Sequence, residues 1–151
     1  MRRATKHVLI LFAGLALAGC GQGLPYYQAK PNFPKLAADK SRVFVYRTGN
    51  VLAMMFPRVI LMDGKPFGDT FAGTSTYRDV PPGKHTFSFT SGKFSLDVGL
   101  RPGTETFLHV TIHVDGEGIG DTIIEVVAKE TAANDMHYTN MIEPKVRDLV
   151  K

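Results

Sequence analysis

Cysteine is almost missing from this chain of 151 residues, which has only Cys20. One thiol cannot close a disulfide within the chain, so the fold must rest on its packed core and Cys20 must serve another purpose. An excess of one charge is missing too. The formal net charge is +4, but three of the 18 Lys and Arg residues (Arg2, Arg3 and Lys6) precede Cys20, leaving 15 against 14 acidic residues after it. That near balance provides no basic stripe and excludes an electrostatic nucleic-acid interface. Long amphipathic helical patterns are absent, and Leu and Ala are sparse beyond the first segment. There is no G-x-S-x-G, since Gly73-Thr74-Ser75-Thr76 departs from it at the final Gly, and no carboxylate pair stands out for acid–base work. The chain is therefore expected not to be an enzyme and to need no cofactor.

The start of the chain is richly patterned. Met1–His7 carries Arg2, Arg3 and Lys6, Val8–Leu17 is apolar, and Leu17-Ala18-Gly19-Cys20 follows. A charged start, a short apolar stretch and small residues before a cleavage point mark an export signal. At about a dozen residues the apolar run is too short for a permanent transmembrane helix, which needs ~20. Leu-Ala-Gly-Cys closely resembles the lipobox of bacterial lipoproteins. The resemblance implies that the Cys20 thiol takes up a diacylglycerol, that residues 1–19 are removed, and that acyl chains hold the mature protein on a membrane. Two or three chains anchor firmly where one is marginal. Gly21 rather than Asp follows the cysteine; by resemblance to enterobacterial sorting, this implies the outer membrane, facing the periplasm.

Residues 20–40 contain Gly21, Gly23, Pro25, Pro31 and Pro34 without a sustained period, and read as a flexible tether of about 25 Å average span. Tyr26, Tyr27 and Phe33 fit either a membrane interface or packing on the domain. From Ser41 short strand-like runs alternate with turn signals. The runs are Arg42–Thr48, Arg58–Met62, Lys65–Phe71, Thr74–Val80, Lys84–Thr90, Lys93–Leu100, Thr104–Val114 and Asp121–Lys129. Asp63-Gly64 is a hairpin signal, Pro81-Pro82-Gly83, Ser91-Gly92 and Pro102-Gly103 are turns, and Gly116, Gly118 and Gly120 read as a loop. Alternation places Phe87 and Phe89, Phe94, Leu96 and Val98, and Leu108, Val110, Ile112 and Val114 inward. The expectation is a mainly β protein, an antiparallel β-sandwich of about eight strands over 41–129. A tail over 130–151 follows, with a short helix at Val146–Val150.

Three segments carry a further likeness: Ala38-Asp39-Lys40-Ser41-Arg42-Val43-Phe44-Val45-Tyr46-Arg47, Leu61-Met62-Asp63-Gly64-Lys65-Pro66-Phe67-Gly68, and Val80-Pro81-Pro82-Gly83-Lys84-His85-Thr86-Phe87. Their order resembles a bacterial lipoprotein domain family of unknown function, and more distantly the PEGA-type surface sandwiches. The resemblance implies a β fold and an envelope location, and leaves the function open.

Candidate sites are few. His109 and His113 are four apart, which on a strand separates them by about 13 Å, too far to share one zinc ion. His85, after Pro-Pro-Gly, is expected to brace its turn or pack with Phe87. Asp115, Glu117 and Asp121 lie in a Gly-rich loop, but Ile119 and Val126 stand where an EF-hand needs oxygen ligands. No metal is expected. The apolar stretch Val51–Pro57, with Met54, Met55 and Phe56, fits a further strand, a lid on the core, or an exposed patch for a partner or lipid, because Met surfaces adapt. The leading reading is a non-catalytic binding or structural module of the envelope, with an unidentified envelope protein or ligand as partner. The alternative is a carrier or sensor of an apolar ligand held between the sheets; an envelope enzyme comes third.

Overall fold

Residues 23–49, 56–90, 93–115 and 118–143 are described by the computed structural model of the chain. The alternating runs pair into two sheets. Their strands are β1 (Ser41–Arg47), β2 (Arg58–Met62), β3 (Lys65–Thr70), β4 (Thr74–Val80), β5 (Gly83–Phe89), β6 (Ser95–Leu100), β7 (Glu105–Asp115), β8 (Gly118–Val127) and β9 (Asn140–Met141). The first sheet runs β8-β7-β1-β4-β9 and the second β3-β2-β5-β6. The expected mainly β sandwich is present, with nine strands among the described residues where the sequence suggested about eight.

The inward residues meet between the sheets. Val43, Val45, Leu108, Val110 and Ile124 from the first sheet pack with Ile60, Phe67, Phe87, Phe89, Val98 and Leu100 from the second. Phe67 and Phe87 meet edge to face with centroids 5.8 Å apart, a favoured arrangement of aromatic quadrupoles. Asp63 and Gly64 both have positive φ, 52° and 75°, and join β2 to β3 by a tight turn whose twist matches that of its strands.

Several boundaries and pairings depart from the sequence reading. Most neighbours are antiparallel, but β1 pairs with β7 in parallel, as β4 does with β9. Hairpin signals reveal only consecutive antiparallel partners. The β1–β7 pairing becomes possible because the chain leaves to build the second sheet and then returns to the free edge of β1. Gly118 and Gly120 belong to β8 rather than to a loop. A helix, α2, forms at Lys129–Met136; the one expected at Val146–Val150 lies outside the described residues, as does the Ser91-Gly92 turn.

The flexible tether is corrected over most of its length. From Gly23 the chain is folded onto the sandwich, with α1 at Tyr26–Ala29 and a 3₁₀ turn at Lys30–Asn32. Tyr26 and Phe33 pack on the outer face of the first sheet, where Phe44, Tyr46, Phe107, Ala132 and Met136 complete a second apolar cluster. This settles the role left open for Tyr26 and Phe33, and it explains why all seven residues of β1 are buried. Burial of its apolar rings outweighs the loop signal of three prolines. On the same face Arg42, only 3% exposed, holds Asp79 through two 2.7 Å hydrogen bonds and lies over the Tyr77 ring.

Candidate functional site

The N-terminal entry is built by backbone pairing. Pro25 bridges Asn140, the Met141 N–H donates to the Leu24 carbonyl at 2.9 Å, and the Tyr26 N–H donates to the Thr139 carbonyl at 2.8 Å. A Cβ at position 23 would fall on the Met141 carbonyl oxygen, so glycine is what permits this approach. Pro25 suits a sheet edge, where its missing N–H costs no ladder bond. The segment 137–141 is fixed in turn: Asn140 N–H donates to the Gly73 carbonyl, and the Thr139 and Ser75 hydroxyls meet at 2.8 Å.

Around this entry lies an aromatic surface. The Tyr27 ring stacks on His137, with centroids 4.9 Å apart and planes 13° off parallel. Tyr138 meets His137 edge-on at 4.5 Å. Sequence reasoning considered Tyr27 for an interface and missed its partners; the His137-Tyr138 dipeptide was the available signal.

The anticipated candidates are placed as follows. Cys20, Met54, Met55 and Glu117 lie outside the described residues. Phe56 is half-buried, and its carbonyl accepts a 2.8 Å hydrogen bond from the buried Arg47. His113 is exposed, whereas His109 stacks on Tyr46 at 4.8 Å and faces Glu125 through Nδ1 at 3.1 Å. The Tyr46 hydroxyl donates to Asp135 at 2.7 Å; burial, aided by that bond, pushes its pKa well up. Among the described residues, no three His, Cys, Asp or Glu side chains gather as a metal site.

His85 braces its turn. Its Nδ1 lies 2.7 Å from Asp63 Oδ2 and its Nε2 lies 3.0 Å from the Pro81 carbonyl oxygen, while the Thr86 N–H donates to Asp63 Oδ1. Both ring nitrogens are thus engaged by protein oxygens, which suits a strut between two turns better than a general base. The same bonds, that of His85 first, hold the Asp63 carboxyl below the ordinary carboxylate range. A depressed carboxylate pKa stabilises the fold above the unfolded value and loses that contribution as pH falls through the folded one. Asp63→Asn should therefore lower the melting temperature modestly at neutral pH, because Asp63 is half exposed and screened. Below about pH 4 the gap from wild type should close. Thermal melts across that range check both arms.

A cleft of about 700 Å³ opens between the ends of β2, β5 and β8. Val59, Phe89, Phe94 and Ile123 give it apolar walls, and Arg58, Lys93 and Asp121 supply charge. It is lined from both sheets, by β2 and β5 of the second and β8 of the first. Among the described residues no helix is long and apolar enough to cross a membrane. Compared with known proteins, the chain matches no family model, no curated protein and no solved structure.

Proposed function

We propose that this chain is a lipid-anchored module of the bacterial cell envelope, whose sandwich serves as a non-catalytic binding or structural unit. One observation carries the reading: basic residues, a short apolar run and Leu17-Ala18-Gly19 lead directly to the only cysteine. Acyl chains on Cys20 give the single thiol a purpose that neither a disulfide nor a catalytic site provides. Gly21 favours the outer membrane, with the domain facing the periplasm and an envelope protein or ligand as its partner. The fold supports a binding or structural role, because His85 and His109 are occupied in bracing and stacking. The carrier reading rests on the cleft of about 700 Å³ between the two sheets, whose walls include Val59, Phe89, Phe94 and Ile123.

Cys20→Ser tests the anchor. The wild-type protein should sediment with membranes through a high-salt wash, and the variant should move to the soluble fraction. A variant that still sediments in high salt would refute lipid anchoring.

A further inference from the structure

We propose that the patch formed by Leu24, Tyr27, His137 and Tyr138 rests in the lipid headgroup region beside the anchor, fixing how the sandwich stands on the bilayer. The inference rests on the lipid anchor at Cys20 and adds an orientation to it.

Reach is the first argument. Leu24 is four residues beyond Cys20, and an extended chain spans at most ~3.6 Å per residue, so Leu24 stands within about 14 Å of the acylated residue. The outer, polar layer of a bilayer leaflet is itself roughly 5–8 Å deep. From Gly23 onward the backbone is pinned to β9, so little slack remains to lift the domain away.

Composition is the second argument. Among the described residues the exposed large apolar side chains are Leu24, Tyr27, Val126 and Tyr138, at 57%, 44%, 53% and 82%. Three of these four gather at the entry, and Tyr138 is the most exposed. Tyrosine, with an apolar ring and a polar hydroxyl, is enriched where membrane meets water. His137 lies between the two tyrosines, stacked on one and edge-on to the other, so the patch is already ordered and loses little freedom on contact. Exposed Lys30, just after α1, adds an ammonium suited to lipid phosphates. A phospholipid surface fits this chemistry, and the anchor would bring that surface to the patch.

The chain has no tryptophan, so Tyr138→Trp installs a single fluorescent reporter at an exposed position. The lipidated mature variant is placed in phosphatidylethanolamine–phosphatidylglycerol vesicles, with and without lipids brominated near the headgroup end of the acyl chain. The expected result is a blue-shifted emission that loses most of its intensity to the brominated lipid. Tyr27→Trp should behave alike and provides a second reporter. Protein that floats with the vesicles while both reporters emit as in water, unquenched, overturns the orientation and leaves the anchor standing. Protein that carries no lipid and does not float overturns both.

Discussion

Phe87→Ala is expected to destabilise the sandwich by about 3–5 kcal/mol, the usual cost of removing a buried aromatic ring. Phe87 is fully buried on β5, between β2 and β6, and its ring meets Phe67 edge to face. Both neighbouring strands are tied to β5 by ladder bonds, Met62 opposite Phe87 on one side and Leu96 on the other. They cannot close over the vacated space without breaking the sheet, so most of the cavity persists. With a lone cysteine, the chain has no internal cross-link to restrain its unfolded state. Such a loss is a large part of the ~5–15 kcal/mol that holds a domain folded. Urea melts should show a lower midpoint with an unchanged slope. A cost below about 1 kcal/mol, far under the buried-ring range, would mean that the interior already holds space there, as an apolar-ligand carrier requires.

Tyr26→Ala should act more locally. The Tyr26 ring is 5% exposed and packs against Phe44 and Phe33, with centroids 6.1 and 6.0 Å away. With Phe33, it is a side chain through which the N-terminal segment grips the outer face of the first sheet. Its loss should weaken that grip by about 2 kcal/mol or more, a fall of roughly 30-fold in local protection. Because peripheral units open below the global transition, the Tyr26 and Met141 amides should lose hydrogen-exchange protection while Val45 and Leu108 keep theirs. Equal loss at all four sites would make the segment an integral part of the sandwich rather than a latch on it.

The sequence revealed one layer of this fold more readily than the other. β5, β6 and β7 alternate cleanly because one face of each meets the main core, and Phe87, Val98 and Leu108 were placed correctly. β1 reads as an unbroken run, Arg-Val-Phe-Val-Tyr-Arg, which is how a strand buried on both faces should look. What covers its second face was obscured by composition. Pro25, Pro31 and Pro34 suggested a loose tether, although Tyr26 and Phe33 are the rings that pack on Phe44. In α2 only Ala132 and Met136 are buried, and a two-residue apolar stripe is too faint a helical period to stand out. The aromatic patch was still less legible. It joins residues 24–27 to 137–138, which are far apart in sequence and are brought together by the backbone pairing of 24–26 with 139–141. The proposed anchor at Cys20 is the reverse case, since it rests on linear sequence alone.

The central claim is best tested by the intact mass of the mature protein isolated from membranes. The account predicts a chain beginning at Cys20, lacking residues 1–19, and heavier than its amino-acid sequence by a diacylglyceryl group, with or without an added N-acyl chain. A chain of unmodified mass, with a free thiol at Cys20 open to alkylation, would contradict it.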